Sequence, residues 1–537
     1  MLRKRFNGRS IFLVIVFSSL NGQSIIPSVS NTLRYGNGER GTAGLTQKFS
    51  YFENLTDVRL SFQQSLTLGF RLLADDPPEV GDSFQGIKRR FIEFRQDEFL
   101  LRAGNLNELF GQGLALNLFE NRGFAYDTWM DGVKAGYHSK FFNVTILGGT
   151  IDFRDSVIVA RYEKYKLRGA NLELTPVKGV AIGSSFIEAN GIIPQFVTQK
   201  NVHAEIPELY GAYRSKQFQA FLGYVHKWVN VFEDKSSSTG DAVYASLSYS
   251  GKGFGVVMDY KDYRFDIRDP FDRLDNARAT RMLPFQNPPI VQKEHTYTLL
   301  TRALHQVDFN DEVGIQMEGF YSFSSETMLN VNASIASRHD YYDYNQTAFS
   351  FSRRVRENNF LPSLEDKLSP YWEVFTELEH YFESSSAIRL GIARRENLLF
   401  NDFTGAAFSH RQQATTVPVQ FQYALTKEYS LIVQTENEFA YDSYNTLSER
   451  YYTQLLTLIF TRSPDVSLSL RYEYTTNKAD PTGKQDWIIA EAGYTFGQAH
   501  TATISFGRER GGQVCSNGVC QYQLPFEGVR ISLRSSI

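Results

Sequence analysis

The sequence of 537 residues contains little cysteine, tryptophan, methionine or proline: 2, 4, 6 and 16 residues respectively. Two cysteines exclude a disulfide-rich secreted scaffold. No apolar run is long enough for a transmembrane helix, which needs about 18 residues, so a helical membrane protein is excluded. The net charge of −3 and the lack of a basic run after residue 22 argue against a nucleic-acid partner. By contrast, 43 Phe and 30 Tyr exclude wholesale disorder.

The first 22 residues have the three-part pattern of a secretory signal peptide. Basic residues within 3–9 are followed by an apolar stretch at 11–17, which is too short to span a bilayer. Small and polar residues come next. We predict cleavage between Gly22 and Gln23, with Ser24 as the runner-up position, and therefore an exported mature protein.

Alternation of apolar and polar residues dominates the rest of the chain. The segment 466–474 reads VSLSLRYEY, and 388–392, 502–506 and 529–534 repeat the pattern. Each such strand has one apolar and one polar face. A soluble sandwich buries the apolar face, whereas an outer-membrane barrel turns it towards lipid and turns the polar face towards the lumen. Alternation alone does not distinguish these two folds.

The connections between strands distinguish them, because tight turns alternate with long polar loops. This is the pattern of an up-and-down outer-membrane barrel with short periplasmic turns and long extracellular loops. The tight turns lie near 63–65, 96–98, 138–141, 175–179, 213–216, 250–252, 306–311, 383–386, 425–428, 461–465 and 496–499. The long loops lie at 75–84, 105–129, 150–163, 189–202, 227–239, 264–292, 323–369, 394–411, 439–447, 476–484 and 509–525.

These turns, with a first strand near 31–36 and a last strand at 527–536, predict the fold class. We expect an all-β fold: a large antiparallel transmembrane β-barrel of about 24 strands, within a range of roughly 20–26. No Pro- or Ser-rich linker divides the chain, so residues 23–537 are predicted to form a single domain.

Several charged residues fall on the polar faces of the predicted strands. An arginine that faces lipid at the midplane costs about 2–4 kcal/mol, whereas one that faces a wet lumen costs little. The candidate lumen-facing residues are Arg389, Arg471, Glu473, Arg530 and Arg534. The excess of Tyr and Phe suits the aromatic girdles at the two membrane interfaces.

The segment 105–129 is too rich in glycine and apolar residues for a free surface loop. A barrel of this size leaves a wide lumen, which natural barrels often fill with a plug. We expect this segment to fold inward, and 264–292 and 323–369 are further candidates; the alternative is that 112–118 is another strand. The candidate inward residues are Arg102, Gly104, Glu108, Phe110, Gly111, Gly113 and Glu120.

The two cysteines lie close together near the end of the chain. Cys515 and Cys520 flank Ser-Asn-Gly-Val, in which Asn517-Gly518 favours a two-residue type I′ hairpin turn. Such a hairpin places the cysteines opposite each other, within reach of a disulfide in an oxidising compartment. Free thiols are one alternative; a redox or metal pair is another, although no histidine or third cysteine lies near.

Motifs that carry chemistry are sparse. Residues 36–41 match GxGxxG, but a strand pattern follows, so we interpret them as a turn. No metal-binding spacing of histidines and no GxSxG motif is present, and the pair Ser409-His410 does not make a triad by adjacency. We therefore predict no enzyme, no catalytic residue, no cofactor and no metal site. Calcium binding by the acidic clusters at 75–82 and 266–275 stays open.

Three stretches resemble an uncharacterised family of outer-membrane barrel proteins of Gram-negative bacteria, known as a domain of unknown function. They are LRAGN, ELFGQG and FE within 101–120, LPFQNPP with KEHTY within 283–297, and GRERGG with VCSNGVC within 507–520. The family tends to have glycine where Asn517 stands here, and asparagine tolerates the same left-handed backbone. The resemblance implies a barrel in the outer membrane and no particular activity.

Two functions follow from these observations. The first is a channel or transport-related pore of unknown solute, which the charged lumen faces favour. The alternative is a non-conducting scaffold, or a surface-export or assembly partner, whose long extracellular loops bind another protein. The expected partners are outer-membrane lipid and a surface or periplasmic protein, and we expect no nucleic acid.

Overall fold

The computed structural model describes residues 25–537 except 64, 156–160, 196–197, 268–282, 303, 383–384 and 517–518. The predicted signal peptide at 1–22 therefore lies outside the described residues. The same holds for Asn517 and Gly518, the predicted turn of the cysteine hairpin.

A closed sheet of 24 antiparallel strands confirms the predicted fold class. Each strand pairs with its neighbours in sequence, and the first pairs with the last, Ser30 opposite Ser536. The barrel strands are β1 Ile25–Arg40, β2 Gln47–Phe62, β3 Leu66–Asp75, β4 Phe84–Gln96, β5 Phe99–Leu106, β6 Met130–His138, β7 Phe142–Asp155, β8 Arg161–Val177, β9 Val180–Gln195, β10 Thr198–Arg214, β11 Phe218–Val231, β12 Ser236–Gly251, β13 Phe254–Arg264, β14 Glu312–Ser322, β15 Thr327–Ser337, β16 Tyr371–Tyr381, β17 Ala387–Leu399, β18 His410–Ala424, β19 Tyr429–Asp442, β20 Arg450–Arg462, β21 Val466–Thr475, β22 Asp486–Phe496, β23 His500–Glu509 and β24 Phe526–Ser536.

One predicted turn is wrong. The chain turns at 309–310, but this turn precedes β14 and does not join two barrel strands. Instead, β14 and β15 are joined at 323–326, so the long loop begins at residue 338. The reason lies in the pattern of side chains. In 327–337, apolar and polar residues alternate, whereas 297–305 has apolar residues at both odd and even positions and so has no polar face.

Several strands are longer than a bilayer requires. A membrane-spanning strand needs about 9–11 residues, but β8 and β10 each have 17. The predicted loops at 150–163 and 189–202 are therefore mostly strand, because alternation continues through them.

Along β8 to β12, the apolar face of the barrel wall changes from the outside, near the tight turns, to the inside, near the long loops. Near the tight turns, the outward side chains are apolar and exposed: Leu172, Ile182, Leu209, Leu222 and Leu247. Near the long loops, most outward side chains are polar and most inward ones are buried and apolar. Examples are outward Lys164, Lys166, Arg168 and Asn190, and inward Tyr165, Leu167, Ile187 and Val229.

This inversion divides the barrel wall into two zones. An outward apolar band on a closed barrel is the surface that faces lipid in outer-membrane proteins. The turn-side half is therefore the membrane band, and the protein lies in the outer membrane. The loop-side half projects above the membrane and encloses an apolar core. Across the described ranges of the chain, no helix is long and apolar enough to cross a membrane.

Two connections fold back into the lumen. The first inner segment, residues 107–129, joins β5 to β6; the second inner segment, residues 283–311, leads into β14. The first contains the paired strands Leu109–Phe110 with Leu116–Asn117 and Glu120–Asn121 with Tyr126–Asp127, and the 3-10 turns Gly111–Gly113 and Arg122–Phe124. The second contains the short helix α1, Thr298–Thr301. The outer loops contain the hairpins Tyr341–Asn345 with Ser350–Arg354 and Gly512–Ser516 with Val519–Gln523, and the 3-10 turns Asp366–Leu368 and Gly405–Phe408.

Candidate functional site in the barrel lumen

Apolar packing attaches the first inner segment to the wall of β7 to β13. Leu114 and Leu116 are both 0% exposed. They belong to a cluster with wall residues such as Ile187 and Val225 and with Phe285 of the second inner segment. Each such side chain contributes about 1.5–3 kcal/mol on full burial. The first inner segment is therefore held mainly by the hydrophobic effect.

The two inner segments are also joined by hydrogen bonds. Asn117 N donates to Phe285 O at 2.7 Å, and Gln286 Nε2 donates to Leu114 O at 3.0 Å. Tyr126 Oη donates to the carbonyl oxygen of Pro284 at 2.5 Å. The two inner segments therefore form one body inside the lumen, which we call the plug.

The second inner segment reaches the opposite wall through carboxylates. The backbone N–H groups of Thr298 and Leu299 donate to the Glu436 carboxylate of β19, at 2.9 and 2.7 Å. Tyr297 Oη donates to Glu377 of β16 at 2.5 Å. A small apolar cluster adds to these polar contacts, in which Tyr297 and Leu300 pack against Phe375 of β16 and Ala393 of β17.

Glu473 of β21, a predicted lumen residue, lies at the centre of a buried ion-pair network. Its carboxylate binds Arg302 of the second inner segment and Arg510 of the last loop, each at 2.7 Å. Arg510 also binds Asp480 at 2.7 Å, and its guanidinium lies 4.9 Å from the centroid of the Trp487 ring. Burial lowers the pKa of Arg510, but Glu473 and Asp480 raise it more, so its net shift is upward.

Arg302 and Arg510 were not among the sequence candidates. Arg510 lies within the GRERGG stretch, and Arg302 lies in a segment that the turn pattern assigned to a strand. Arg302 could have been recognised in the sequence as an arginine within an otherwise apolar stretch.

The four predicted lumen arginines lie on the face opposite exposed apolar residues such as Leu390, Leu470 and Ile531. Three of them bind carboxylates: Arg389 pairs with Glu379 at 2.7 Å, Arg530 with Glu509 at 2.5 Å, and Arg471 with Glu509 at 3.9 Å. Arg534 shares the face of Arg530 on β24 and lies opposite Thr32 of β1.

The predicted inward residues separate into two groups. Arg102 and Gly104 lie in β5 and not in an inner segment, because their backbone pairs with both β4 and β6. The others lie in the first inner segment. Phe110 is buried in the apolar cluster, Glu108 pairs with Lys134 at 2.7 Å, and Glu120 pairs with Arg71 at 2.6 Å.

Three consecutive residues at the tip of the first inner segment have positive φ angles: Gly111 at 52°, Gln112 at 59° and Gly113 at 90°. This conformation allows the chain to reverse and excludes the alternative of a barrel strand at 112–118. Beneath the tip, a cavity of about 610 Å³ lies between this segment and the turn-side ends of β8 to β12. The first inner segment therefore lies on the loop side of this cavity.

The predicted disulfide between Cys515 and Cys520 is confirmed. The two residues are directly paired across the hairpin, with Cα atoms 4.1 Å apart. The Val519–Gln523 strand of this hairpin contacts the Arg122–Phe124 turn of the first inner segment. The last long loop thus folds over the lumen.

Acidic side chains of the first loop are engaged in ion pairs. Asp75 lies 3.5 Å from Arg122, and Glu79 lies 3.1 Å from Arg530. Within the described ranges, no group of three or more potential ligands is arranged to hold a metal ion. Asp269, Asp272 and Asp275, which left calcium binding open, lie outside those ranges.

The sequence neighbours Ser409 and His410 do not meet the acid near them. Asp402 binds Arg338 at 2.6 Å, whereas His410 Nε2 lies 2.9 Å from Asp442. The Ser409 hydroxyl donates to Gly405 O at 3.1 Å. The three side chains are thus directed to separate partners.

Comparisons with solved structures find barrels at low identity. The siderophore receptor PirA from Pseudomonas aeruginosa is 10% identical, with 95% of this chain and 80% of that chain covered and a TM-score of 0.44. The copper transporter OprC is 10% identical, covering 96% and 80%, with a TM-score of 0.45. OpdO from Pseudomonas aeruginosa is 10% identical, covering 78% and 96%, with a TM-score of 0.36. No curated protein matches the chain.

A family profile, by contrast, matches most of the chain. The match spans residues 53–537 and includes all three stretches on which the sequence resemblance rests. That resemblance to an uncharacterised family of outer-membrane barrels is confirmed. The chain belongs to the family of unknown function DUF6029.

Proposed function

We propose that this outer-membrane barrel is a transport-related pore that is closed at rest, and that displacement of the second inner segment opens it. The observation that carries this proposal is the difference between the two attachments inside the lumen. The first inner segment is held mainly in the large apolar cluster, whereas residues 293–305 of the second are held by carboxylates of β16, β19 and β21 and by a small apolar cluster of Tyr297, Leu300, Phe375 and Ala393.

The two attachments differ in how water can replace them. A carboxylate and a backbone N–H group that separate can each bond to water, although a hydrogen bond to a charged group contributes about 1.5–3 kcal/mol. A buried leucine also costs about 1.5–3 kcal/mol on exposure and finds no such replacement. The first inner segment places five side chains in the large apolar cluster and 293–305 places two in the small one, so we propose that 293–305 leaves the wall while the rest of the plug stays packed.

Single-channel conductance of the refolded protein in a planar bilayer tests this proposal. In one variant, a Gly/Ser linker of equal length replaces residues 293–305; in the matched control, the same kind of linker replaces residues 344–351 of an outer hairpin. We expect low or intermittent conductance from the wild type and the control, and a steady nanosiemens-scale conductance from the variant. A folded variant that stays silent would refute the pore.

A scaffold function is the second candidate, because the loop 338–370 exposes apolar side chains above the membrane. Phe349 is 83% exposed and Val355 is 70% exposed. Neighbouring exposed apolar residues of this kind mark surfaces that bind other proteins. If this loop binds a surface partner, site-specific photo-crosslinking from position 349 in whole cells would yield a defined adduct. The conductance of the barrel would then be irrelevant to that role.

Export by a cleaved signal peptide is part of the proposal. Removal of residues 1–22 would leave 23–537 as a single barrel domain. The intact mass of the protein purified from outer membranes measures the cleavage site, and a mass that includes residues 1–22 would contradict it.

A further inference from the structure

Three aromatic side chains lie next to each other on the inner wall of the turn-side cavity. Tyr210, Phe221 and Tyr244 come from the adjacent strands β10, β11 and β12. Their ring centroids are separated by 5.9 Å and 6.0 Å, and the planes of Tyr210 and Phe221 differ by 24°. We name these three side chains the aromatic platform. All three line the cavity.

Glycines beneath the platform allow its rings to lie against the wall. A Cβ atom at Gly183 would overlap the Tyr210 ring, and one at Gly223 would lie 3.1 Å from the Phe221 ring. The Tyr210 ring therefore covers its glycine with one face and presents the other face to the cavity. The planes of Phe221 and Tyr244 differ by 43°, so Tyr210 and Phe221 form the flatter part of the platform. Neighbouring aromatic faces of this kind inside a lumen offer a stacking site.

Polar groups surround the platform on the same wall. Tyr210 Oη lies 3.2 Å from both Asn171 Oδ1 and Glu173 Oε2. Gln219 and Arg214 also line the cavity. The positive charge of Arg214 offsets the negative charge of Glu173. The cavity thus offers amide and carboxylate hydrogen-bonding groups beside aromatic faces, without a net charge from these two ionised side chains.

The roof of the cavity is the left-handed tip of the first inner segment, where Gln112 lies. A residue other than glycine rarely adopts this conformation, and such strained residues cluster at functional sites. The tip is fixed against the wall, since a Cβ atom at Gly111 would overlap the Glu208 carboxylate. The conformation therefore holds the Gln112 amide at the cavity.

We propose that this cavity binds a neutral oligosaccharide, whose sugar rings stack on the aromatic platform while their hydroxyl groups bond to Asn171, Glu173 and Gln112. A sugar ring has an apolar C–H face and a rim of hydroxyl groups, which matches the flat aromatic surface and its polar border. The volume of about 610 Å³ lies within the range of ligand pockets. The proposal names the solute class of the proposed transport function and rests on it for its biological role.

Calorimetric titration of the full-length protein in detergent tests the proposal. The probes are maltohexaose, cellohexaose and xylohexaose. We expect at least one to bind, and Tyr210→Ala and Phe221→Ala each to weaken that binding by about tenfold or more. Phe221→Tyr retains an aromatic ring and should bind within about threefold of the wild type. Phe218→Ala removes an exposed aromatic ring from the outward face of β11, the strand that carries Phe221, and is the matched control because Phe218 lies outside the cavity lining.

Heat-modifiable migration on gels establishes that each variant has folded. If none of the three sugars binds the folded wild type, or if Phe218→Ala weakens binding as much as Phe221→Ala, the proposal is wrong. Binding is measured without any current across a bilayer. A barrel that binds sugar and never conducts would therefore refute the pore alone, whereas a barrel that conducts without sugar binding would refute this inference alone.

Discussion

At the scale of single residues, a buried histidine attaches the outer loop 338–370 to the barrel. His339 Nδ1 lies 2.7 Å from Asp311 Oδ1, and its Nε2 lies 2.9 Å from Asp262 Oδ1. Burial lowers the pKa of His339, but its hydrogen bonds to Asp262 and Asp311 and their charges raise it above its ordinary value. The imidazolium form therefore favours the docked loop.

This pKa shift predicts a loop that loosens in alkaline solution. Because the pKa of His339 is raised on docking, its contribution is full below the ordinary histidine pKa of about 6.5 and is lost as the pH rises through the raised value. Hydrogen exchange of residues 338–343, corrected for intrinsic rates, should become faster across that range. His339→Gln should remove the pH dependence, and a dependence that persists in this variant would assign it to another group.

A second prediction at this scale concerns the apolar attachment of the plug. Leu114→Ala should destabilise the first inner segment by about 2–5 kcal/mol, because the side chain is fully buried. Leu109, on the same segment, is 52% exposed, and Leu109→Ala is the matched control. Protection of amides 110–118 from hydrogen exchange measures both. Equal losses in the two variants would show that burial in the cluster does not hold the segment.

Some of these residues could be found from the sequence and others could not. Phe110 and Glu473 stood out because an apolar loop residue and a charge on a strand both need a special environment. His339 and Asp262 gave no signal, because their pairing depends on a contact between a loop and a strand that lie far apart in sequence. Arg302 was assigned to a strand, so its role as a plug contact was missed.

At the scale of elements, the disulfide-bonded hairpin covers the first inner segment. Cys515→Ser with Cys520→Ser should cost about 2 kcal/mol of local stability, the entropy of closing so short a loop. Limited proteolysis within 512–523 should become faster, while the barrel itself stays intact. Reduction of the wild type should reproduce the effect, and proteolysis unchanged by either treatment would show that packing alone holds the hairpin.

The error at 306–311 shows which sequence signal defines a strand in this fold. Both 297–305 and 327–337 are rich in apolar residues. In 327–337 these fall mostly at odd positions, with polar residues at most even ones, as a polar lumen face requires; in 297–305 they fall at odd and even positions alike. A segment that is apolar at both positions is suited to the interior of the barrel, where the second inner segment lies.

At the scale of the whole molecule, the outward apolar band predicts that neighbouring substitutions destabilise the barrel to different extents. Leu470 on β21 is exposed on the lipid side, whereas Ser469 lies on the lumen side. Leu470→Arg should destabilise the inserted barrel by about 2–4 kcal/mol, and Ser469→Arg by about 1 kcal/mol or less. Urea-induced unfolding in lipid vesicles measures both. A larger loss in Ser469→Arg would reverse the assignment of the faces.

The inverted zone above the membrane could not be recognised from alternation. Lys166 and Leu167 alternate there just as Leu470 and Arg471 alternate in the membrane band, but the apolar partner faces inward in the first pair and outward in the second. The sequence pattern shows that side chains alternate between the two faces, but it does not show which face points into the lumen. Only the contents of the lumen determine which face is apolar at a given height.

Ring closure has a consequence for the order of assembly. Nearly every strand pairs with the strand before it and the strand after it, so these contacts form between residues that are close in sequence. The pairing of Ser30 with Ser536 is the exception, because it joins the two ends of the chain. Contacts of such long separation form slowly, since loop closure costs more entropy as the loop lengthens. The β1–β24 seam is therefore expected to close last, and until then it presents an unpaired strand edge on each side.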